Sequence, residues 1–178
     1  MASEYLQDPD APSVLLIVDD DVQWEHGDLS YIARKALEKT AIVGGIYPKR
    51  AFGQQLPVRL DPEVKGEFTF GTDELLPAIY VCTGFIAIPR EILQAVADTQ
   101  PLLTDNSWPM FLPRLVMGPN GMERLSEDWS FCSRASDAGY RIFAAMKPRL
   151  THLGEYQFRM ADARLQPPPD EAVTISFE

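Results

Sequence analysis

The chain has 178 residues, of which 46% are hydrophobic and 24% charged, a composition typical of one globular domain with an apolar core. Its formal net charge of −10 disfavours nucleic-acid binding, because no Lys/Arg cluster offsets the repulsion from a phosphate backbone. The apolar runs are too short to cross a bilayer and the first residues are acidic, so we expect no membrane span, no signal peptide and a cytoplasmic protein.

The N-terminal part of the chain predicts a tail, a strand and a helix, in that order. Residues 1–12 are polar and contain two prolines, which indicates a flexible tail. Residues 13–18 form a continuous run of mostly branched apolar residues, typical of a strand buried on both faces of a sheet. Three aspartates follow, and from Asp28, the predicted N-cap, apolar residues recur at helical spacing.

The middle of the chain predicts two further strands separated by a long loop. Residues 41–47 predict the second strand, and residues 78–88 predict the third, followed by a short helix at 91–97. Residues 48–77 have many Pro and Gly and no steady period, which predicts a loop or flap with room for a small hairpin. Residues 101–125 are irregular again.

The C-terminal part predicts a helix, a strand and a second tail. Ser126 can cap a helix that ends at Gly139, before a strand at 140–145. Residues 157–178 predict an extended tail, which leaves residues 13–156 as the single domain. Because strands and helices alternate, the predicted fold class is α/β, with a mixed, mostly parallel sheet flanked by helices.

Two cysteines, Cys82 and Cys132, stand alone in apolar surroundings. This pattern predicts two buried, reduced thiols rather than a disulfide or a zinc site. On this interpretation the two thiols carry little functional information.

The triplet Asp19, Asp20 and Asp21 comes directly after the first predicted strand, at the strand end where ligands bind in open α/β sheets. Three neighbouring carboxylates repel one another, and a hard cation such as Mg²⁺ or Mn²⁺ would neutralise them. A solvated acidic turn is one alternative. A signalling receiver domain is another, although the strand ending at residues 44–48 lacks the phosphoacceptor aspartate that such a domain needs.

Two further places in the sequence could carry chemistry. Glu127 and Asp128 lie in the first turn of the predicted helix, where they either cap the helix or accept a proton from a substrate hydroxyl. His152 follows the last predicted strand and is either a structural residue or a metal ligand.

Taken together, these motifs resemble the GT-A glycosyltransferases, particularly the family-2-like enzymes of bacterial and phage type. The resemblance covers residues 13–156. It rests on a strand running into a DxD motif at 15–21, a turn at Trp24, a Gly-Gly-x-Tyr-Pro-Lys segment at 44–49, a glycine-containing strand at 83–90, an acidic helix at 127–140 and a closing His-x-Gly at 152–154.

The resemblance implies a metal-dependent transfer of a sugar from a nucleotide-diphosphate donor, with a UDP-sugar as the first candidate, to a hydroxyl acceptor. Asp19 and Asp21, with His152, would bind Mn²⁺ or Mg²⁺. Asp128 and Glu127 would be the catalytic residues, Asp128 as the base and Glu127 binding hydroxyl groups. The residues that would bind the donor are Asp19, Asp20, Trp24, Tyr47, Lys49 and Gly84.

Only about a dozen residues precede the first strand, whereas the resemblance implies additional nucleotide-binding strands there. We therefore expect an N-terminally truncated GT-A-like fold, either a fragment or a chain completed by another. The alternative function is a non-catalytic, GT-A-derived remnant that binds a carbohydrate or a partner. The first strand would have an unpaired apolar edge, which predicts a homo-oligomer through that edge.

Overall fold

The computed structural model describes residues 1–49, 56–118, 121–154, 158–159 and 174–177, and it has helices packed around a mixed sheet. The helices are α1 (Ala2–Gln7), α2 (Asp28–Lys39), α3 (Arg90–Asp98) and α4 (Glu127–Asp137). The strands are β1 (Val14–Val18), β2 (Val22–Gln23), β3 (Ala41–Gly45), β4 (Arg59–Leu60), β5 (Gly66–Thr69), β6 (Leu75–Tyr80), β7 (Phe85–Pro89), β8 (Leu115–Gly118), β9 (Gly121–Arg124), β10 (Arg141–Ala145), β11 (Thr151–His152), β12 (Phe158–Arg159) and β13 (Thr174–Phe177).

The central sheet has six strands in the order β1-β7-β3-β10-β6-β4. Among these neighbours β3 and β10 are parallel, and each of the other pairs is antiparallel. The α/β class is therefore confirmed, but the prediction of a mostly parallel sheet is wrong. Strand direction depends on which distant strands pair, and the apolar pattern of a single strand does not encode it.

Strand β1 lies at one edge of this sheet, and in the described part of the chain its central-sheet partner is β7. Leu15 and Ile17 pack against the larger apolar cluster of the core, whereas Val14 and Val18 pack against the smaller one. Both faces of β1 therefore contact the core, but its residues are only partly buried and Leu16 is exposed, so the predicted burial on both faces is incomplete.

Helix α2 follows as predicted, but its N-cap is Gly27 in the left-handed conformation, with φ of 94°. The Asp28 carboxylate instead accepts the backbone N–H of Glu25, at 3.0 Å. The predicted N-cap was therefore displaced by one residue, because a glycine can take the positive φ that this turn requires.

Strands β1, β3 and β10 end at the same edge of the sheet, and β7 begins there. This edge is called here the carboxyl edge. Strand β7 begins at this edge because it is antiparallel to both β1 and β3. The connections that leave or enter the sheet here are residues 19–21, 46–49, 81–84 and 146–150. Aspartates, a tyrosine, a cysteine and a glycine are thereby gathered at one place.

The first twelve residues form a packed element rather than the flexible tail that the sequence predicted. Leu6 of α1 is buried, and the Arg90 guanidinium donates to the carbonyls of Leu6, Asp8 and Ala11 at 2.9, 2.7 and 3.2 Å. This arginine lies at the start of α3, so the anchoring contacts are distant in sequence.

Other differences concern elements that the apolar pattern did not separate. The predicted strand at 78–88 is two strands, β6 and β7, which are not neighbours in the sheet. The predicted irregular segment at 101–125 contains the hairpin β8–β9, and the predicted loop at 48–77 contains β4, β5 and the start of β6. Residues 50–55 of that loop lie outside the described residues.

In the predicted C-terminal tail, β12 pairs with β11 and β13 pairs with β5. The parts of the tail at 160–173 lie outside the described residues, as do residues 157 and 178.

None of the helices in the described part of the chain combines the length and apolar content that crossing a lipid bilayer requires.

Candidate functional site

The acidic triplet lies in a tight turn at the end of β1. The backbone N–H of Asp19 donates to the carbonyl of Gly84 at 3.0 Å, and the N–H of Val22 donates to the carbonyl of Asp19 at 3.2 Å. These bonds reverse the chain immediately after β1. The side chains of Asp19 and Asp20 are exposed, whereas that of Asp21 is partly buried.

A small sheet brings Asp21 and His152 together. Strand β2 follows the acidic turn and pairs antiparallel with β11, so that His152 lies opposite Val22. The backbone N–H of Leu153 also donates to the carbonyl of Asp21, at 2.7 Å. As a result, Nε2 of His152 lies 3.4 Å from Oδ2 of Asp21.

The other nitrogen of this imidazole determines what Nε2 presents. Nδ1 of His152 lies 3.0 Å from the carbonyl oxygen of Pro48. Because a carbonyl can only accept, Nδ1 carries a proton, and Nε2 is the ring nitrogen that faces Asp21. The space between Nε2 and the carboxylate therefore favours a proton or a cation. Metal-binding histidines commonly donate their second N–H to a backbone carbonyl in this way.

Gly84 allows Tyr47 and Asp19 to approach the same point of the backbone. A Cβ at residue 84 would lie 2.7 Å from Oδ2 of Asp19 and would also overlap the hydroxyl oxygen of Tyr47. The φ of Gly84 is not positive, so the glycine is required here for space rather than for backbone conformation.

Tyr47 is buried, with 5% of its surface exposed, and its ring meets the ring of His152 edge to face at a centroid distance of 5.4 Å. Burial raises the pKa of Tyr47 far above its usual value, and the neighbouring Cys82, Asp19 and Asp128 raise it further. The hydroxyl consequently stays protonated, and its burial leaves little surface for direct contact with a donor.

Asp128 lies in the first turn of α4, as the sequence predicted, and its carboxylate is held by a neighbour. The Ser126 hydroxyl is 2.6 Å from Oδ1 of Asp128, to which it donates. Ser126 is also the N-cap residue of α4. The carboxylate thus lies near the positive end of the helix dipole.

Cys82 belongs to the same site, which the sequence did not predict. Its thiol donates to the carbonyl of Pro57 at 2.9 Å, and burial followed by the nearby Asp128 carboxylate raises the pKa of the thiol. The sequence predicted a buried, reduced thiol here, and it did not predict that this thiol lies near Asp128. The sequence carried no signal for this position, because apolar residues continue through Val81 and Cys82.

Four side chains share one electrostatic environment and are called here the edge cluster: Asp19, Asp21, Asp128 and His152. Although Asp19 as a residue is exposed, partial desolvation of its carboxyl group is the largest cause of the raised pKa of Asp19, and the carboxylates of Asp21 and Asp128 raise it further. His152 acts in the opposite direction, and Asp20 contributes least. Residues that are far apart in the sequence are thus close enough to affect the ionisation of Asp19.

The remaining predicted site residues are on the surface. Trp24 has 42% of its surface exposed, and its ring lies 6.1 Å from that of Phe85 at a tilt of 43°. Lys49 is exposed and directly follows Pro48, whose carbonyl contacts His152. Glu127 is exposed in the first turn of α4.

Of the three predicted metal ligands, Asp21 and His152 form a close pair, and Asp19 lies nearby. They do not form a preassembled metal site. Across the described ranges, no group of three or more His, Cys, Asp or Glu side chains is already arranged to hold a metal ion. The 3.4 Å between the Asp21 oxygen and the His152 nitrogen is nevertheless close to the ~3 Å that separates adjacent ligands of an octahedral cation. Carboxylate oxygens and an imidazole nitrogen are donors that Mn²⁺ and Mg²⁺ can accept, and Asp19 lies in the same electrostatic cluster as this pair.

Comparisons with known proteins inform the fold alone. The sequence matches no protein-family model and no curated protein. A solved structure described as the crystal structure of A197 from STIV is similar to this chain, with a TM-score of 0.53 and 20% sequence identity. The similarity covers 86% of this chain and 64% of that one, so the chain spans less than two thirds of the length of A197. Together, the fold and the site define an α/β domain with acidic side chains gathered at the carboxyl edge of a mixed sheet.

Proposed function

We propose that this protein is a metal-dependent glycosyltransferase, or part of one, with a GT-A-like fold that moves a sugar from a nucleotide-diphosphate donor to a hydroxyl acceptor. The observation that supports the proposal best is the convergence of the edge cluster, whose members come from the end of β1, the start of α4 and β11. Ligands bind at this end of the strands in open α/β sheets. A solvated acidic turn would not require His152 and Asp128 to lie beside it.

The donor binds on the side of the site formed by the acidic turn. Asp21 and His152, with Asp19, hold Mn²⁺ or Mg²⁺, which supplies positive charge for the diphosphate leaving group. Asp20 and Lys49 are exposed and bind polar groups of the donor. The exposed face of Trp24 provides an aromatic surface for a sugar or a base.

The acceptor binds on the side formed by the N-terminus of α4. Asp128 accepts the proton of the attacking hydroxyl, while the Ser126 hydroxyl fixes one of its oxygens. Glu127, exposed in the same turn, binds neighbouring hydroxyl groups. Proton transfer to a positioned base contributes roughly 10²- to 10⁴-fold to the rate of such reactions.

The direct test is release of nucleoside diphosphate from a panel of UDP-sugars and other nucleotide sugars, with and without Mn²⁺ and simple sugar acceptors. We expect Mn²⁺-dependent release with at least one donor. Asp128→Asn should lower this rate, and Asp98→Asn on α3 is the matched control with the same change in charge. A rate that is independent of Mn²⁺, or equal in Asp128→Asn, contradicts the proposal.

A second candidate function is carbohydrate or partner binding without catalysis, and the pairwise arrangement of the metal donors favours it. Under this alternative, Asp21→Ala leaves carbohydrate binding intact, whereas glycosyl transfer requires Asp21.

The position of β1 at the sheet edge, with Leu16 37% exposed, supports self-association of the protein through that edge. Light scattering that shows a monomer at high protein concentration would rule out this form of self-association.

A further inference from the structure

We infer that Tyr47 is a positioning residue, which holds Asp19 and His152 in the orientations that a cation needs and does not itself contact the donor. This inference deepens the proposed function and rests on it. Tyr47 follows β3 and is buried, so it belongs to the floor of the carboxyl edge rather than to its surface. The sequence alone had suggested the opposite, a direct contact with the donor.

The hydroxyl of Tyr47 fixes the position of Asp19. The carbonyl of Gly84 accepts the N–H of Asp19 at 3.0 Å. The Asp19 carboxylate and the Tyr47 hydroxyl border the same small space beside the Cα of Gly84. Rotation of the Asp19 side chain is therefore limited on this side by the tyrosine oxygen.

The ring of Tyr47 fixes the position of His152. The two rings meet edge to face, with an angle of 80° between their planes. The Pro48 carbonyl holds Nδ1 of the same imidazole from the residue that follows Tyr47. The consecutive residues Tyr47 and Pro48 thus determine both the tilt and the tautomer of the histidine that faces Asp21.

Removing the hydroxyl alone separates these two contacts. Tyr47→Phe keeps the ring beside His152 but removes the oxygen beside Asp19, so Asp19 gains rotational freedom. Residues that orient metal ligands typically change metal affinity by roughly 10- to 100-fold when they are substituted. Because one of the two contacts remains, we expect a change near the lower end, about tenfold.

The experiment measures Mn²⁺ affinity from the loss of the free Mn²⁺ signal in electron paramagnetic resonance, together with thermal unfolding of the metal-free proteins. Tyr31→Phe is the matched control, because Tyr31 is buried to a similar degree, 4% exposed against 5%, on α2. We expect about tenfold weaker binding in Tyr47→Phe and unchanged binding in Tyr31→Phe. A crystal structure of Tyr47→Phe completes the test.

The outcomes separate this inference from the proposed function. If the unsubstituted protein and Tyr47→Phe bind Mn²⁺ equally well, the positioning role is wrong and the proposed function survives. If the unsubstituted protein binds no Mn²⁺, the proposed function fails. The orientation of Asp19 in the Tyr47→Phe crystal then decides the positioning role: an unchanged Asp19 side chain overturns it, and a displaced one supports it.

Discussion

Gly84→Ala is the substitution for which the structure gives the clearest expected consequence. The added methyl group would lie 2.7 Å from Oδ2 of Asp19, about 0.7 Å short of ordinary contact at 3.4 Å, and would overlap the Tyr47 hydroxyl. Alanine can adopt the backbone conformation of residue 84, because its φ is not positive. The effect is therefore steric, and it falls directly on the predicted metal ligand.

Two quantities should change together in this variant. Overpacking of a well-packed site costs roughly 1–3 kcal/mol of unfolding free energy, and each kcal/mol lowers the melting temperature by about 2–4 °C in a chain of this size. Displacement of Asp19 should also weaken Mn²⁺ binding by about tenfold or more. Thermal unfolding and calorimetric Mn²⁺ titration measure the two effects independently.

Gly44→Ala is the matched control for this experiment. A Cβ at residue 44 would lie 2.7 Å from the Cβ of Val81, so the overpacking is similar, but it falls on an apolar side chain of the core. We expect a comparable loss of stability with unchanged Mn²⁺ affinity. Combining Gly84→Ala with Tyr47→Phe should restore part of the lost stability, with a coupling of about 0.5 kcal/mol or more. Equal Mn²⁺ affinity in Gly84→Ala and the unsubstituted protein would refute the reasoning.

Three further predictions concern the carboxylates of the site. Asp21→Asn should weaken Mn²⁺ binding by roughly 10- to 100-fold in calorimetry, whereas Asp98→Asn should not; equal losses in both would indicate a general effect of charge. Asp19→Asn should stabilise the metal-free fold at pH 7 by a few tenths to about 1 kcal/mol, because the raised pKa of Asp19 means that its ionised form destabilises the fold. This gain in stability should disappear as the pH falls below about 3.9, where Asp19 is protonated in both the folded and the unfolded chain. Denaturant unfolding at pH 7 and at pH 3.5 measures the gain. A gain that persists at pH 3.5 would contradict the prediction. Asp128→Asn should lower kcat by roughly 10²- to 10⁴-fold with little change in Mn²⁺ affinity. A loss of Mn²⁺ binding in this variant would indicate that Asp128 is a metal ligand rather than the base that accepts the proton of the acceptor.

The elements that the sequence predicted well are those whose signal is local. The apolar run before Asp19 predicted β1, and apolar spacing together with a cap predicted α2 and α4. The strand directions were not predicted, because they follow from pairings between distant segments. The break between β6 and β7 was missed because apolar residues continue through Val81 and Cys82, so the alternation gave no boundary. Helix α1 was missed because its anchor, Arg90, is remote in sequence.

For the candidate site, the sequence identified most of the side chains but not their arrangement. Asp21 and His152 were predicted together, and the pairing of β2 with β11 places them side by side. Tyr47 was predicted to bind the donor, whereas its burial favours a supporting role. Cys82 was not predicted, because only the folded chain places its thiol beside Asp128.

The most direct test of the account is a calorimetric titration of the protein with nucleotide sugars, UDP-sugars first, in the presence and absence of Mn²⁺. We predict that at least one nucleotide sugar binds with Mn²⁺, that it does not bind without the metal, and that Asp21→Ala abolishes the binding. Absence of Mn²⁺-dependent binding for every nucleotide sugar, or undiminished binding in Asp21→Ala, would contradict it.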